Sequence, residues 1–183
     1  RSDALDPGKQ AMIRYDYVRT RREDVKPIPA SSVGLTRIFI KAFTRLNVWG
    51  YKLSRGRLFN TFPGGFPICI VTTTGARSVR KRAVALIHLP LGEDKLLVAS
   101  QGGMDTHPVW YYNVKAHPEL EIMFGPESHR YRARQVSDDE KRELWPHLLR
   151  LYPEFDEYQA RTDRNIPVFR CERLVVGPFC SRV

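Results

Sequence analysis

The chain has 183 residues, 42% hydrophobic and 27% charged, a balance that suits one globular domain with its own core. No run of eighteen apolar residues is present, which excludes a membrane-spanning helix of ordinary length. The net charge of +10 is uneven: residues 1–60 hold 13 Lys/Arg against 5 Asp/Glu, and residues 61–183 hold 17 against 15, so the basic excess is N-terminal and points to an anionic partner there.

Residues 1–30 carry charge and three prolines with little apolar periodicity, and read as a flexible basic tail. Their order of charge and apolarity is not that of a signal peptide. Residues 31–57 follow as a basic amphipathic helix. Leu35, Ile38, Phe39, Ala42, Phe43, Leu46, Trp49 and Leu53 recur at helical spacing, with Arg37, Lys41, Arg45 and Lys52 on other faces. Such a helix either packs on its own domain or lies on an anionic membrane surface.

Residues 58–183 open with a Pro/Gly loop, "FNTFPGGFP", and then change character. "ICIVTTTG", "RAVALIHL" and "KLLVAS" are three strands, with "GED" a tight turn before the third. Pro108 to Ala116 is a short helix with proline in its first turn. "ELEIMF" and "RYRARQV" form a hairpin around "GPES". "SDDE", Ser137 to Glu140, is a capping box for a helix in which Pro146 predicts a kink or a late start. "EFDEYQART" is a further short helix and "IPVFRCERL" the last strand. About six strands joined mainly by tight turns, with three or four helices, predict an α+β, mainly β fold: a small antiparallel barrel, closed or half-closed, with helices outside.

Cys69, Cys171 and Cys180 are odd in number and lack CxxC spacing, so neither a disulfide framework nor a metal site is expected, and a reducing cytoplasm is. No GxGxxG follows a strand and no Walker motif is present.

Three segments carry candidate chemistry. "TTTGARSVRKR", Thr72 to Arg82, joins two strands with hydroxyls, a turn glycine and the cations Arg77, Arg80, Lys81 and Arg82. It is either an anion nest or a solvated hairpin tip. "SQGGMDTHPVWYYN" offers Gly102 and Gly103 for close backbone approach to a flat ligand, Ser100 as a donor, and Trp110 and Tyr111 as ring walls or as core anchors. His107 reads as a turn residue. "LYPEFDEYQARTDR" spaces Tyr152, Phe155 and Tyr158 three apart, on one face of a helix, as a core stripe or as an aromatic lid with a phenolic proton donor.

Taken in order, "VTTTGARSVRKR", "LLVASQGGMDTHPVWYYNVKAHPELEI" and "LWPHLLRLYPEFDEYQARTDRNIPV" resemble the deazaflavin-dependent nitroreductases, actinobacterial split β-barrel oxidoreductases that use coenzyme F-420. The resemblance runs from about Val33 to Arg173. It implies that Thr73, Thr74, Arg77, Ser78, Arg80 and Arg82 hold the coenzyme's phosphate and acidic tail. Ala76 and Val79 depart from the family's TTTGRKSGxxR pattern. It further implies that Ala99, Ser100, Gly102, Gly103, His107, Pro108, Trp110, Tyr111 and Asn113 cradle the deazaflavin ring. Tyr152, Phe155 and Tyr158 stand where the nitroimidazole-reducing member has three lid tyrosines, and Ile87 or His88 where it has another. Two hydroxyls are missing, which argues against nitroimidazole prodrugs as substrates.

The expected function is hydride transfer from reduced coenzyme F-420 to an electron-poor acceptor, a quinone such as menaquinone or a nitro compound. Ser100, Tyr152 and Tyr158 are the catalytic candidates, and Ile87 and Phe155 join the two tyrosines on the substrate side. Peripheral contact with the inner face of an anionic membrane through residues 31–57 is expected, and no nucleic acid. Two competing expectations are a split barrel that binds FMN or haem, or carries deazaflavin without turnover, and a basic protein that binds membranes or nucleic acid.

Overall fold

The computed structural model describes residues 15–25, 48–62 and 64–174. Among them, eight strands form one curled antiparallel sheet: β1 (Thr61–Phe62), β2 (Phe66–Thr74), β3 (Lys81–Ile87), β4 (Leu89–Leu91), β5 (Asp94–Val98), β6 (Glu119–Phe124), β7 (Glu127–Gln135) and β8 (Val168–Arg173). The helices are α1, described over 48–53, α2 (Val109–Ala116), α3 (Asp138–Leu151) and α4 (Phe155–Arg161). The strand order is β1-β2-β6-β7-β8-β5-β4, with β3 on β2. Residues 70–72 of β2 pair with β3 on one side and β6 on the other, and among the described residues no strand pairs with the other edge of β3, its open edge. His88 links β3 to β4, which pairs with β5. The sheet therefore curls nearly shut and parts along β3: a split β-barrel, as expected. It has eight strands rather than about six because β1 and β4 are too short to show a period of two.

Register assigns the faces. The pairs Cys69↔Leu86, Val71↔Val84 and Thr73↔Arg82 share one side of β2 and β3. Cys69 and Val71 join Leu97, Trp110, Tyr131, Phe169 and Cys171 inside the barrel. Both cysteines are free and buried, so they serve as small apolar side chains; burial pushes the Cys69 thiol up to about 12. Cys180 lies outside the described residues. Ile68 and Ile70 face outward onto Tyr51 of α1, whose hydroxyl donates to the Ile68 carbonyl at 3.3 Å and accepts from Gly125 N–H at 2.8 Å. A third cluster lies between α3, α4 and the outer face of β5 and β8, where Trp145, Leu148, Tyr152 and Phe155 cover Leu96, Val98 and Val168. Each large side chain so buried contributes about 1.5–3 kcal/mol.

Four local expectations need correction. Ser137 Oγ accepts from Glu140 N–H at 3.2 Å, but the Glu140 carboxylate turns to Arg134, at 2.6 and 2.8 Å, so only half of the capping box forms. That cap, with Asp138, Asp139 and Glu140 in the first turn, starts α3 well before Pro146, so the helix does not start late. In the described end of the amphipathic helix, Gly50 and Tyr51 are buried while Trp49 is 64% and Leu53 70% exposed, so the apolar stripe is not the face that meets the barrel there. Its other residues, 31–47, lie outside the described residues. Finally, residues 15–25 are not a loose tail. Thr20 donates through both N–H and Oγ1 to the Asp156 carboxylate, at 2.6 and 2.7 Å, and Tyr17 packs on Trp145.

Candidate active site

The loop between β2 and β3 is built before any ligand arrives. Gly75 N–H donates to the Arg80 carbonyl at 2.9 Å, and Val79 N–H to the Gly75 carbonyl at 3.0 Å. A Cβ on Gly75 would sit 2.6 Å from Ser78 Oγ and 3.2 Å from the Arg80 carbonyl oxygen, so glycine closes this turn without displacing either. Asn113 of α2, buried, reaches across: its Nδ2 donates to Thr73 Oγ1 at 3.1 Å and its Oδ1 accepts from Ala76 N–H at 3.0 Å. Thr73 is buried, and Thr74 Oγ1 accepts from Lys81 Nζ at 3.0 Å. Arg77, Ser78, Arg80 and Arg82 project into solvent, and among the described residues no carboxylate pairs with these arginines.

The segment after β5 bends sharply: Gln101, Gly102 and Gly103 have φ of 48, 67 and 79°. Gly103 does not face open space. A Cβ there would lie 2.7 Å from the Tyr158 carbonyl oxygen, so this glycine lets the loop touch α4 rather than a ligand. Gly102 has nothing within 4 Å of its Cβ position among the described residues and is the one of the pair left open. Half-buried Ser100 has no hydrogen bond to its Oγ among the described residues. Ala99 is buried in the barrel core. Pro108 caps α2; Trp110, 6% exposed, packs edge-on against Phe169 and is a core anchor, not a ring wall. Tyr111 is half-buried and, with Val84 and Leu86, rims that core beside the open edge of β3.

His107 stacks on Tyr111 at 4.1 Å and 16°. Its Nδ1 lies 2.9 Å from Arg164 Nη1, and because Arg can only donate, Nδ1 accepts and Nε2 carries the proton. Burial and then the Arg164 charge hold its pKa below the usual range, so it stays neutral.

On the third side, Tyr152, Phe155, Tyr158 and Ile87 do gather in one cluster. They do not share a helix face, since Tyr152 caps α3 and Phe155 begins α4. Tyr152 is 2% and Phe155 4% exposed, so both are core; only Tyr158 and Ile87 are partly open. The Tyr152 and Tyr158 hydroxyls meet at 3.0 Å, and burial holds both phenols above their ordinary pKa, hence protonated. Of the two hydroxyls, only that of Tyr158 belongs to a partly exposed side chain. His88 is stacked on Phe124 at 3.7 Å, away from this cluster, and burial lowers its pKa to about 4.

A profile of the F-420H(2)-dependent quinone reductases matches residues 43–173. The chain belongs to that family. The F-420H(2)-dependent quinone reductase Rv1261c of Mycobacterium tuberculosis is 36% identical over 121 residues, 64% of this chain and 81% of its own. A solved F-420-H2 dependent reductase, FDR-A, is 41% identical over 58% of this chain and 94% of its own, with a TM-score of 0.55. Another solved structure, a domain-swapped dimer, is 35% identical over 70% of this chain and 100% of its own, with a TM-score of 0.56.

The two loop positions that depart from the TTTGRKSGxxR pattern differ in what their backbones require. Ala76 contributes its N–H, which any residue but proline supplies. Val79 sits at φ 54°, where the family pattern has glycine, and a β-branched residue there is strained by about 1–2 kcal/mol. Sequence reasoning missed Arg161 and Arg164. Arg164 donates to the carbonyls of Ala99, Ser100 and Met104 at 3.0–3.1 Å, and Arg161 Nη1 to the Gly102 carbonyl at 2.6 Å. Together they fix the bend that presents Ser100 and Gly102. Arginine donors to carbonyls some sixty residues away leave no periodic trace in a sequence.

Proposed function

We propose that this chain binds reduced coenzyme F-420 along the open edge of β3 and uses it to reduce a quinone on the Tyr158 side. The observation that carries the reading is the layout of that edge, with a preformed cationic loop at one end and a protonated phenol pair toward the other. The residues fit the group: the loop's arginines await an anion, the half-open Val84, Leu86 and Tyr111 offer an apolar rim, and Gly102 leaves room for a ring.

Thr74, Arg77, Ser78, Arg80 and Arg82 would hold the phosphate and acidic tail, with buried Thr73 and Asn113 keeping their loop in shape. Ser100, Gly102 and Tyr111 would frame the ring, with Ala99, Gly103, His107, Pro108 and Trp110 fixing the loop and helix behind them. When bound, the coenzyme supplies a hydride, since its deazaflavin has carbon where flavin has N5. Ser100 Oγ, free to donate, polarises the acceptor oxygen. Tyr158, kept protonated by burial, gives a proton at its phenol oxygen, and the Tyr152 hydroxyl steadies the phenolate that forms. Ile87 and Phe155 keep water from the acceptor side.

Menaquinone, a lipid-soluble quinone, is the natural acceptor in this reading, reached from the inner face of the membrane. Exposed Trp49, Leu53, Leu58 and Phe59, among Lys52, Arg55 and Arg57, support peripheral contact with anionic lipid. No helix among the described residues is long and apolar enough to cross a membrane. Anaerobic mixing of the protein with reduced F-420 and menadione tests the activity: saturable return of the oxidised coenzyme's absorbance is expected, and no rate above the protein-free control overturns the reading.

A further inference from the structure

Residues 15–25 precede the family-matched region, yet they grip α4. Asp156, 6% exposed, gives one of its carboxylate oxygens wholly to this contact and the other to α3. Its Oδ2 accepts from Arg19 N–H at 3.0 Å, Thr20 N–H at 2.6 Å and Thr20 Oγ1 at 2.7 Å, and its Oδ1 accepts from Trp145 Nε1 at 3.0 Å. The Tyr17 ring lies 5.1 Å from Trp145. Lys141, 2% exposed, sits within 5.1–5.5 Å of the Tyr15, Tyr17 and Trp145 rings and donates to Gln159 Oε1 of α4 at 2.9 Å. The exposed pairs Arg22–Asp163 and Arg142–Asp16 add little.

A helix of seven residues does not hold itself. The anchors of α4 are divided along its length. Its end is tied to the loop after β5, through Arg161 to the Gly102 carbonyl and Thr162 Oγ1 to Asp105 at 2.8 Å. Its start, which carries Phe155 and leads to Tyr158, is tied to residues 15–25 through Asp156. We propose that residues 15–25 are a strap that sets the position of α4, with Asp156 the positioning residue, so that a segment outside the matched barrel tunes the acceptor side of the site. The acceptor part of this proposal rests on the function proposed above; the strap itself does not.

The test compares the full chain with Asp156→Asn, Thr20→Val, Thr20→Ser and a deletion of residues 1–25. Thr20→Val removes only a strap hydroxyl and leaves the Asp156–Trp145 bond, so it decides the matter even where Asp156→Asn folds poorly. Amide hydrogen exchange over residues 155–161 is read without coenzyme, then F-420 affinity, then KM and kcat for menadione. Exchange faster by about tenfold is expected in Asp156→Asn and the deletion, and a smaller change of the same sign in Thr20→Val, with Thr20→Ser like the parent. KM for menadione rises by about tenfold while F-420 affinity stays within about twofold. Unchanged exchange at 155–161 overturns the strap. A loss of F-420 affinity as large as the rise in KM overturns its confinement to the acceptor side. If the parent turns over no quinone, the functional reading fails and takes the acceptor part with it, while the exchange data still decide the strap.

Discussion

Replacing Asn113 with leucine keeps most of its volume and removes both hydrogen bonds of the carboxamide, to Thr73 Oγ1 and from Ala76 N–H, at 3.1 and 3.0 Å. Thr73 Oγ1 retains a partner in the Arg82 carbonyl, at 3.4 Å, and Ala76 at the exposed loop can turn to water. The loss is therefore that of two net hydrogen bonds, about 2 kcal/mol in all. It falls on the ordered form of the 75–80 loop, and a ligand that needs this form loses affinity in proportion to the fraction remaining, up to about 30-fold. Fluorescence titration with F-420 measures it, and a thermal melt on the same sample separates loop from global effects. Folded Asn113→Leu with F-420 affinity within about twofold of the parent would refute the claim that this loop, held from α2, is the coenzyme's anchor.

Tyr158→Phe is expected to lower menadione turnover by about 10²-fold with F-420 affinity unchanged, as befits a proton donor; unchanged turnover removes Tyr158 from the mechanism. Arg164→Lys keeps the charge but not the fork that reaches three carbonyls and His107, so calorimetry should find Tm lower by about 10 °C, from a loss of about 3 kcal/mol. Val79→Gly relieves a left-handed backbone, less the extra chain entropy of glycine, and should raise Tm by about 3 °C; a fall would mean the Val79 side chain packs in a way its exposure belies. Burial lowers the Lys141 pKa to about 7, with Asp138 opposing and Arg164 assisting. Between pH 7 and about 10 the unfolded chain then binds the extra proton, so this group makes stability rise with pH across that window and contributes no slope below it. Urea unfolding from pH 7 to 10 checks the sign, and Lys141→Met should flatten the profile.

The barrel was legible because its strands alternate and its turns carry glycine and proline, and the ordered motifs from "VTTTG" to "NIPV" were legible because each combines residue types that rarely coincide. Asn113 stood in one of those motifs, but its partners did not: that its amide serves Thr73 and Ala76 follows from the packing of α2 on β2. Gly103 was assigned to a ligand when it faces Tyr158, since a glycine announces a close approach without saying to what. Tyr152 and Phe155 have lid spacing and core burial, and only the break at Pro153 and Glu154 distinguishes them. Residues 15–25 looked like tail because their hold on the protein has no period: backbone N–H groups and one threonine aimed at a single carboxylate far along the chain, and two tyrosine rings set against α3.

The central claim is that the open edge of β3 takes a deazaflavin with an anionic tail. Equilibrium fluorescence titration of the purified full chain with coenzyme F-420, run beside FMN under the same salt, tests it most directly. Saturable F-420 binding is expected, much tighter than FMN binding and weakening as salt screens the loop's cations. Absence of F-420 binding, or FMN binding of equal strength, would contradict it.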